Sequence, residues 1–135
     1  MSVLRGDRNE SKMQFLFNAR ELQIYTIRKC VNFPKRYTFY VSQQIANSAT
    51  RVYECVKMGN SIYPLNKHEA QMRRDYYLEA NAELQSLISQ IEVAKELFEI
   101  EAKTMEHWLG YIDDEIRLLK ALMKTERERY KDLPD

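Results

Sequence analysis

From Lys67 to Phe98 the chain runs without a glycine or a proline, and its apolar residues return every seven positions. Tyr77, Leu84, Ile91 and Phe98 make one row, and Ala80, Leu87 and Ala94 its neighbour. A recurrence of seven keeps both rows on one side of an α-helix, because two helical turns take nearly that many residues. Such a helix is roughly 45 Å long at 1.5 Å per residue, and it cannot bury its own seam. Partner helices of similar length have to cover it. With three glycines and three prolines in 135 residues, the chain has little material for turn-rich sheets.

The partner helices are readable on both sides of this segment. Asn66-Lys-His-Glu69 is a capping box opening the long helix, since Asn and Glu side chains can each satisfy an orphaned backbone N–H. Ser11-Lys-Met-Gln14 offers the same pattern further upstream and starts the first helix. That helix carries Met13, Phe17, Ile24, Ile27 and Val31 at helical steps, with Arg20 inside the stripe. It stops near Asn32, because Pro34 disfavours helical geometry in the residue before it. The second helix buries Val41, Ile45, Ala49, Val52 and Val56 and ends at Gly59-Asn60. The fourth shows rows Met105, Ile112, Leu119 and Leu109, Ile116, Met123, with Trp108 beside them. The expected helices span about 11–32, 37–59, 67–98 and 104–131, after a flexible N-terminus over 1–10 and before a tail at 132–135. Short connections between helices of this length give an all-α fold, an antiparallel up-down-up-down four-helix bundle in one domain.

The first helix has more apolar surface than one bundle face requires. Leu16, Leu22, Tyr25 and Cys30 point away from its stripe, and nine tyrosines in a small chain favour interfaces, where amphipathic rings are enriched. These four residues are expected to form an interface between copies in a homo-oligomer; the alternative is simply a broad contact with the core of the bundle.

The formal net charge of +1 conceals a division along the chain. Between Glu92 and Glu115, eight acidic residues face Lys95 and Lys103; between Arg117 and Lys131, six basic residues face Glu126 and Glu128. Arg117, Lys120, Lys124, Arg127 and Lys131 recur at steps of three and four, which sets five cations along one helical face over about 21 Å. The end of the fourth helix lies beside the start of the third in such a bundle, so Arg73 and Arg74 join the same pole. Repeated cations match a phosphate backbone, whose condensed counterions they release on binding. A solvated helix face can carry the same pattern without any ligand.

Nothing in the chain reads as catalytic. His68 and His107 have no HExxH or Cys-His spacing, no glycine-rich phosphate loop occurs, and the Glu-x-x-His pairs of di-iron bundles are missing. No enzyme activity, metal, cofactor or small-molecule substrate is therefore expected. No apolar run reaches the length of a membrane span, the first residues lack the apolar centre of a secretory signal, and Cys30 and Cys55 lack redox-motif spacing. A cytoplasmic location, without membrane contact and with both cysteines structural, follows as an expectation.

At the first bend stands "NFPKRYTFYVSQQIA", where Phe33 is expected to plug the bundle end as Pro34 stops the helix. Lys35 and Arg36 are left exposed at the turn, either as contacts for phosphate or an acidic partner or merely as the outside of a hydrophobic cap, Phe39 and Val41 return the chain to the core, and Gln44 is expected to hydrogen-bond the bend's backbone. This stretch resembles the first hinge of a small four-helix-bundle family. That family includes the 23S ribosomal RNA intervening-sequence proteins and the accessory variability determinant (Avd) proteins of diversity-generating retroelements. Phe33, Pro34, Lys35, Phe39, Val41, Gln44 and Ile45 stand at the positions that carry the likeness. Tyr40 replaces a common glycine, and the Ile-Pro-Ser-Asn-Ile-Ala-Glu-Gly stretch of the ribosomal branch is absent, which points to the Avd-like branch. The resemblance implies a homopentameric, non-enzymatic barrel of bundles that binds RNA or DNA, associates with a reverse transcriptase and supports cDNA synthesis. The alternative is an oligomeric scaffold, or a protein of the ribosomal branch, without a polymerase partner.

Overall fold

A computed structural model describes residues 13–135. The flexible segment expected over 1–10, and Ser11 of the first capping box, lie outside the described residues. Among the described residues there are four α-helices and no strand: α1 Gln14–Cys30, α2 Gln43–Ser61, α3 Lys67–Leu97 and α4 Ala102–Arg129. Each packs on its neighbours in chain order, and α4 closes back on α1. None is long and apolar enough to cross a membrane.

The rows of α2 and α3 are where the spacing puts them. Ile45, Ala49, Val52 and Val56 are buried on α2; Tyr77, Ala80, Leu84, Leu87, Ile91 and Ala94 are buried on α3. Asn66 caps α3, its Oδ1 accepting from the Glu69 N–H at 2.8 Å, while Glu69 Oε1 accepts from the Leu65 N–H at 2.8 Å. The Asn66 carboxamide thus occupies a backbone donor that the first helical turn leaves unmatched, and the Glu69 carboxylate ties down the loop residue just before the cap.

Helix α1 is rotated from the orientation its most apolar stripe suggests. Its buried residues are Phe15, Asn18, Ala19, Leu22, Thr26 and Cys30, whereas Phe17 and Val31 are 59% and 63% exposed. The reason is polar pairing across to α4. Asn18 Nδ2 donates to Tyr111 O at 2.9 Å and to Glu115 Oε1 at 3.0 Å, and Trp108 Nε1 donates to Thr26 Oγ1 at 2.9 Å. Burying the Trp108 ring, which is fully inaccessible, outweighs burying the exposed stripe, and its N–H needs a partner inside. On α4 the inward face accordingly runs Trp108, Ile112, Glu115, Leu119 and Glu126, with Met105, Leu109, Ile116 and Met123 half-buried at its flanks.

The first bend is a helical relay. A 3₁₀ turn at Lys35–Tyr37 leads into a π-helical turn at Thr38–Ser42 and then into α2. Phe33 caps the bundle as expected, its ring 4.8 Å from that of Phe98 and 6.0 Å from that of Trp108, with Tyr37 5.5 Å from Phe98. Val41 is buried, but Phe39 is 76% exposed, so Tyr37 and not Phe39 turns inward. Gln44 is exposed and donates no hydrogen bond to the bend among the described residues. Cys30 and Cys55 are free and buried, and desolvation pushes their thiols up to about 12 and about 11. Thiols so reluctant to ionise are inert packing groups.

Candidate nucleic-acid interface

The outer face of α4 is what its sequence periodicity makes it. Because Ile112, Leu119 and the two buried glutamates claim one side, Arg117, Lys120, Lys124 and Arg127 fall on the other; α4 ends at Arg129, so Lys131 stands on the turn after it, and all five are exposed. Their electrostatic states differ. Arg117 Nη2 lies 2.9 Å from Asp114 Oδ1 and Lys131 Nζ lies 3.1 Å from Glu128 Oε2, both in exposed pairs three residues apart. Lys120, Lys124 and Arg127 form no ion pair among the described residues. Exposed pairs are worth under about 1 kcal/mol, so Arg117 and Lys131 can be turned to a polyanion cheaply. The middle of the ladder carries three uncompensated charges.

Arg73 does not belong to this surface. It is buried with Glu126, Nε and Nη2 sharing both carboxylate oxygens at 2.8 to 2.9 Å. Its Nη1 donates to the carbonyls of Gly59, Asn60 and Ile62 at 3.0 to 3.2 Å, and its guanidinium lies 5.4 Å over the Tyr77 ring. The side chain closes the orphaned carbonyls at the end of α2 and joins α2, α3 and α4. Its assignment to a phosphate contact is corrected, since the side chain is buried and each guanidinium nitrogen is engaged internally. Arg74 is half-buried, with Nη1 donating to Gln71 Oε1 at 3.1 Å. Lys67 Nζ is 3.6 Å from Asp135, and its N–H donates to Pro134 O, so the tail folds back against the start of α3.

Lys35 and Arg36 are exposed at the first bend and form no ion pair among the described residues; Arg36 lies 5.2 Å over the Tyr37 ring. They do not join the ladder. Phe33 of the bend packs on Trp108, whereas Arg73 binds Glu126 on the same helix, about 27 Å further along α4. Two separate basic surfaces result, one at the bend and one along the far half of α4.

The residues assigned to an interface between copies are also placed differently. Leu22 and Cys30 are core, at 0% and 8% exposure. Leu16 and Tyr25 pack against that core, with the Tyr25 hydroxyl donating to Thr104 O at 3.2 Å. The apolar surface α1 leaves open is instead the stripe first assigned to the interior: Met13, Phe17, Ile27 and Val31. Among the described residues no three His, Cys, Asp or Glu side chains gather into a set able to hold a metal ion. Comparisons with protein families, with curated proteins and with solved structures find no match for this chain.

Proposed function

We propose that this chain is a non-catalytic nucleic-acid-binding accessory protein that associates with a reverse transcriptase and supports cDNA synthesis in a diversity-generating retroelement. The observation that carries nucleic-acid binding is the unpaired run Lys120, Lys124 and Arg127 on one exposed face of α4. The polymerase and the retroelement rest on the resemblance of the hinge. The reading includes an up-down-up-down course, favoured by the register of the cross-helix bonds: partner numbers fall on α4 from Glu115 to Trp108 as they rise on α1 from Asn18 to Thr26. It also includes a homopentamer, for which the open α1 stripe supplies apolar surface.

The test is binding of RNA or DNA oligonucleotides, followed by fluorescence anisotropy at a series of salt concentrations. Affinity is expected to fall steeply with salt and to depend little on sequence, because phosphate contacts dominate. Reversing Lys120, Lys124 and Arg127 to Glu should abolish binding, while surface positions of this kind leave folding almost unchanged. Undiminished binding by the triple variant would remove the ladder from the function.

A second reading, the oligomeric scaffold, is favoured by the same α1 stripe. Its mark is an intact oligomer that retains no nucleic acid even at low salt.

A further inference from the structure

The bend carries two aromatic rings that the fold does not use. Phe39 is 76% and Tyr40 83% exposed, on the π-helical turn Thr38–Ser42, with ring centroids 6.4 Å apart. The inward positions of that turn are taken by Val41 and Ser42. Helices of this rare type occur mostly as single turns, frequently at functional sites. Lys35 and Arg36 precede the rings within about 10 Å of chain at 1.5 to 2 Å per residue, both exposed and without an ion pair among the described residues. Beside Tyr40, between α2 and α3, runs a groove of about 290 Å³ whose polar lining includes Gln44, Ser86 and Ser89 and contains no charged residue.

Three kinds of chemistry therefore sit side by side: cations, flat π faces, and neutral donors and acceptors. A single-stranded nucleic acid offers the complement of each in its phosphates, base faces and base edges. A duplex does not, because its bases are already stacked. A protein partner would use the rings and Arg36, which interfaces favour, but not Lys35, since interface centres are depleted of lysine, and an acidic peptide has no use for uncharged walls. We propose that Phe39 and Tyr40 form a base-stacking shelf for single-stranded RNA or DNA, flanked by Lys35 and Arg36 for the phosphates and by the groove for one base edge. This rests on the nucleic-acid reading above, but on a surface other than the α4 ladder.

The experiment compares a fluorescein-labelled oligothymidylate of about 20 nucleotides, longer than one stacking site, with an abasic oligonucleotide of equal length. The wild-type protein is expected to bind the strand with bases about tenfold or more tighter, since each base stacked on an aromatic ring is worth roughly that factor. Phe39→Leu with Tyr40→Leu should bring both affinities to the abasic level, with an unchanged salt slope. Phe39→Tyr with Tyr40→Phe should bind as wild type. Leucine keeps the apolar surface and lacks the π face, so a patch that docks protein would tolerate it. Equal wild-type affinity for the two strands, or undiminished discrimination by the leucine variant, would overturn the shelf while leaving the ladder standing. A native mass lowered by Phe39→Glu with Tyr40→Glu would also overturn it, by making the patch a subunit contact. No binding of either strand by wild type would sink both readings.

Discussion

Glu115 is the residue whose surroundings contrast most with its chemistry. It is fully buried on α4, with Asn18 Nδ2 donating to Oε1 at 3.0 Å and no partner for Oε2. Burial pushes its carboxyl up to about 8, opposed by the Asn18 hydrogen bond and aided by the nearby Asp114 charge. The folded chain then holds a proton that the unfolded chain releases at ordinary carboxylate pH. A native state that binds more protons loses stability as pH rises. Full stability from this group is present below about pH 4.5; it declines through the window up to about pH 8 and is flat above it, with a slope of at most ~1.4 kcal/mol per pH unit. Glu115→Gln keeps an acceptor for Asn18 and cannot ionise. Urea midpoints measured between pH 5 and 8 should fall for the wild type and hold steady for the variant; parallel curves would refute the buried neutral carboxyl. None of this is written in the sequence around position 115, because Asn18 lies almost a hundred residues away and looks like an ordinary polar residue of a helix.

At the scale of single elements, the two helical glycines of α2 and α4 make opposite predictions. Gly59 is buried near the end of α2, where an added Cβ would stand 2.7 Å from Tyr77 Cε1, 3.1 Å from Tyr77 Cδ1 and 3.2 Å from Tyr76 Cβ. Tyr77 is fully buried and held beneath the Arg73 guanidinium, so its ring has nowhere to go. Gly110 is exposed inside α4 and an added Cβ meets nothing within 4 Å. Alanine is favoured over glycine in a helix interior by about 1 kcal/mol. Gly110→Ala should therefore stabilise the protein by roughly that amount, while Gly59→Ala should lose roughly 1 to 3 kcal/mol to overpacking despite the same propensity gain. Thermal melts of the two variants, read by helical circular dichroism, decide it; a rise for both would mean that α2 and α3 are not so close at Gly59. The same contrast explains which elements were readable. On α2 and α3 the regularly spaced apolar residues share one face, and the spacing alone orients the helix. On α4 the inward face includes two glutamates, whose partners Asn18 and Arg73 belong to other helices.

For the molecule as a whole, the informative error concerns α1, which has two apolar faces and so two possible orientations. The more regular one, through Phe17, Ile27 and Val31, is outside; the one interrupted by Asn18 and Thr26 is inside, because those two polar groups are satisfied by Glu115 and Trp108 of α4. Periodicity counts apolar side chains and is blind to a hydrogen bond that only folding creates. The exchange leaves the proposed oligomer intact while moving its surface, and the two placements predict opposite behaviour. If copies meet through the open stripe, Phe17→Glu with Val31→Glu should lower the native mass to that of one chain and leave the helical signal unchanged, since both side chains face solvent in the subunit. Leu22→Ala should do the reverse: a buried leucine truncated to alanine costs about 2 to 5 kcal/mol, so the melt moves down while the mass at room temperature holds. A wild-type mass of one chain at micromolar concentration would end the oligomer outright. A multimer untouched by the paired glutamates would shift the contact to another face, such as the exposed Val93 and Leu97 on α3 or Tyr63 and Leu65 between α2 and α3.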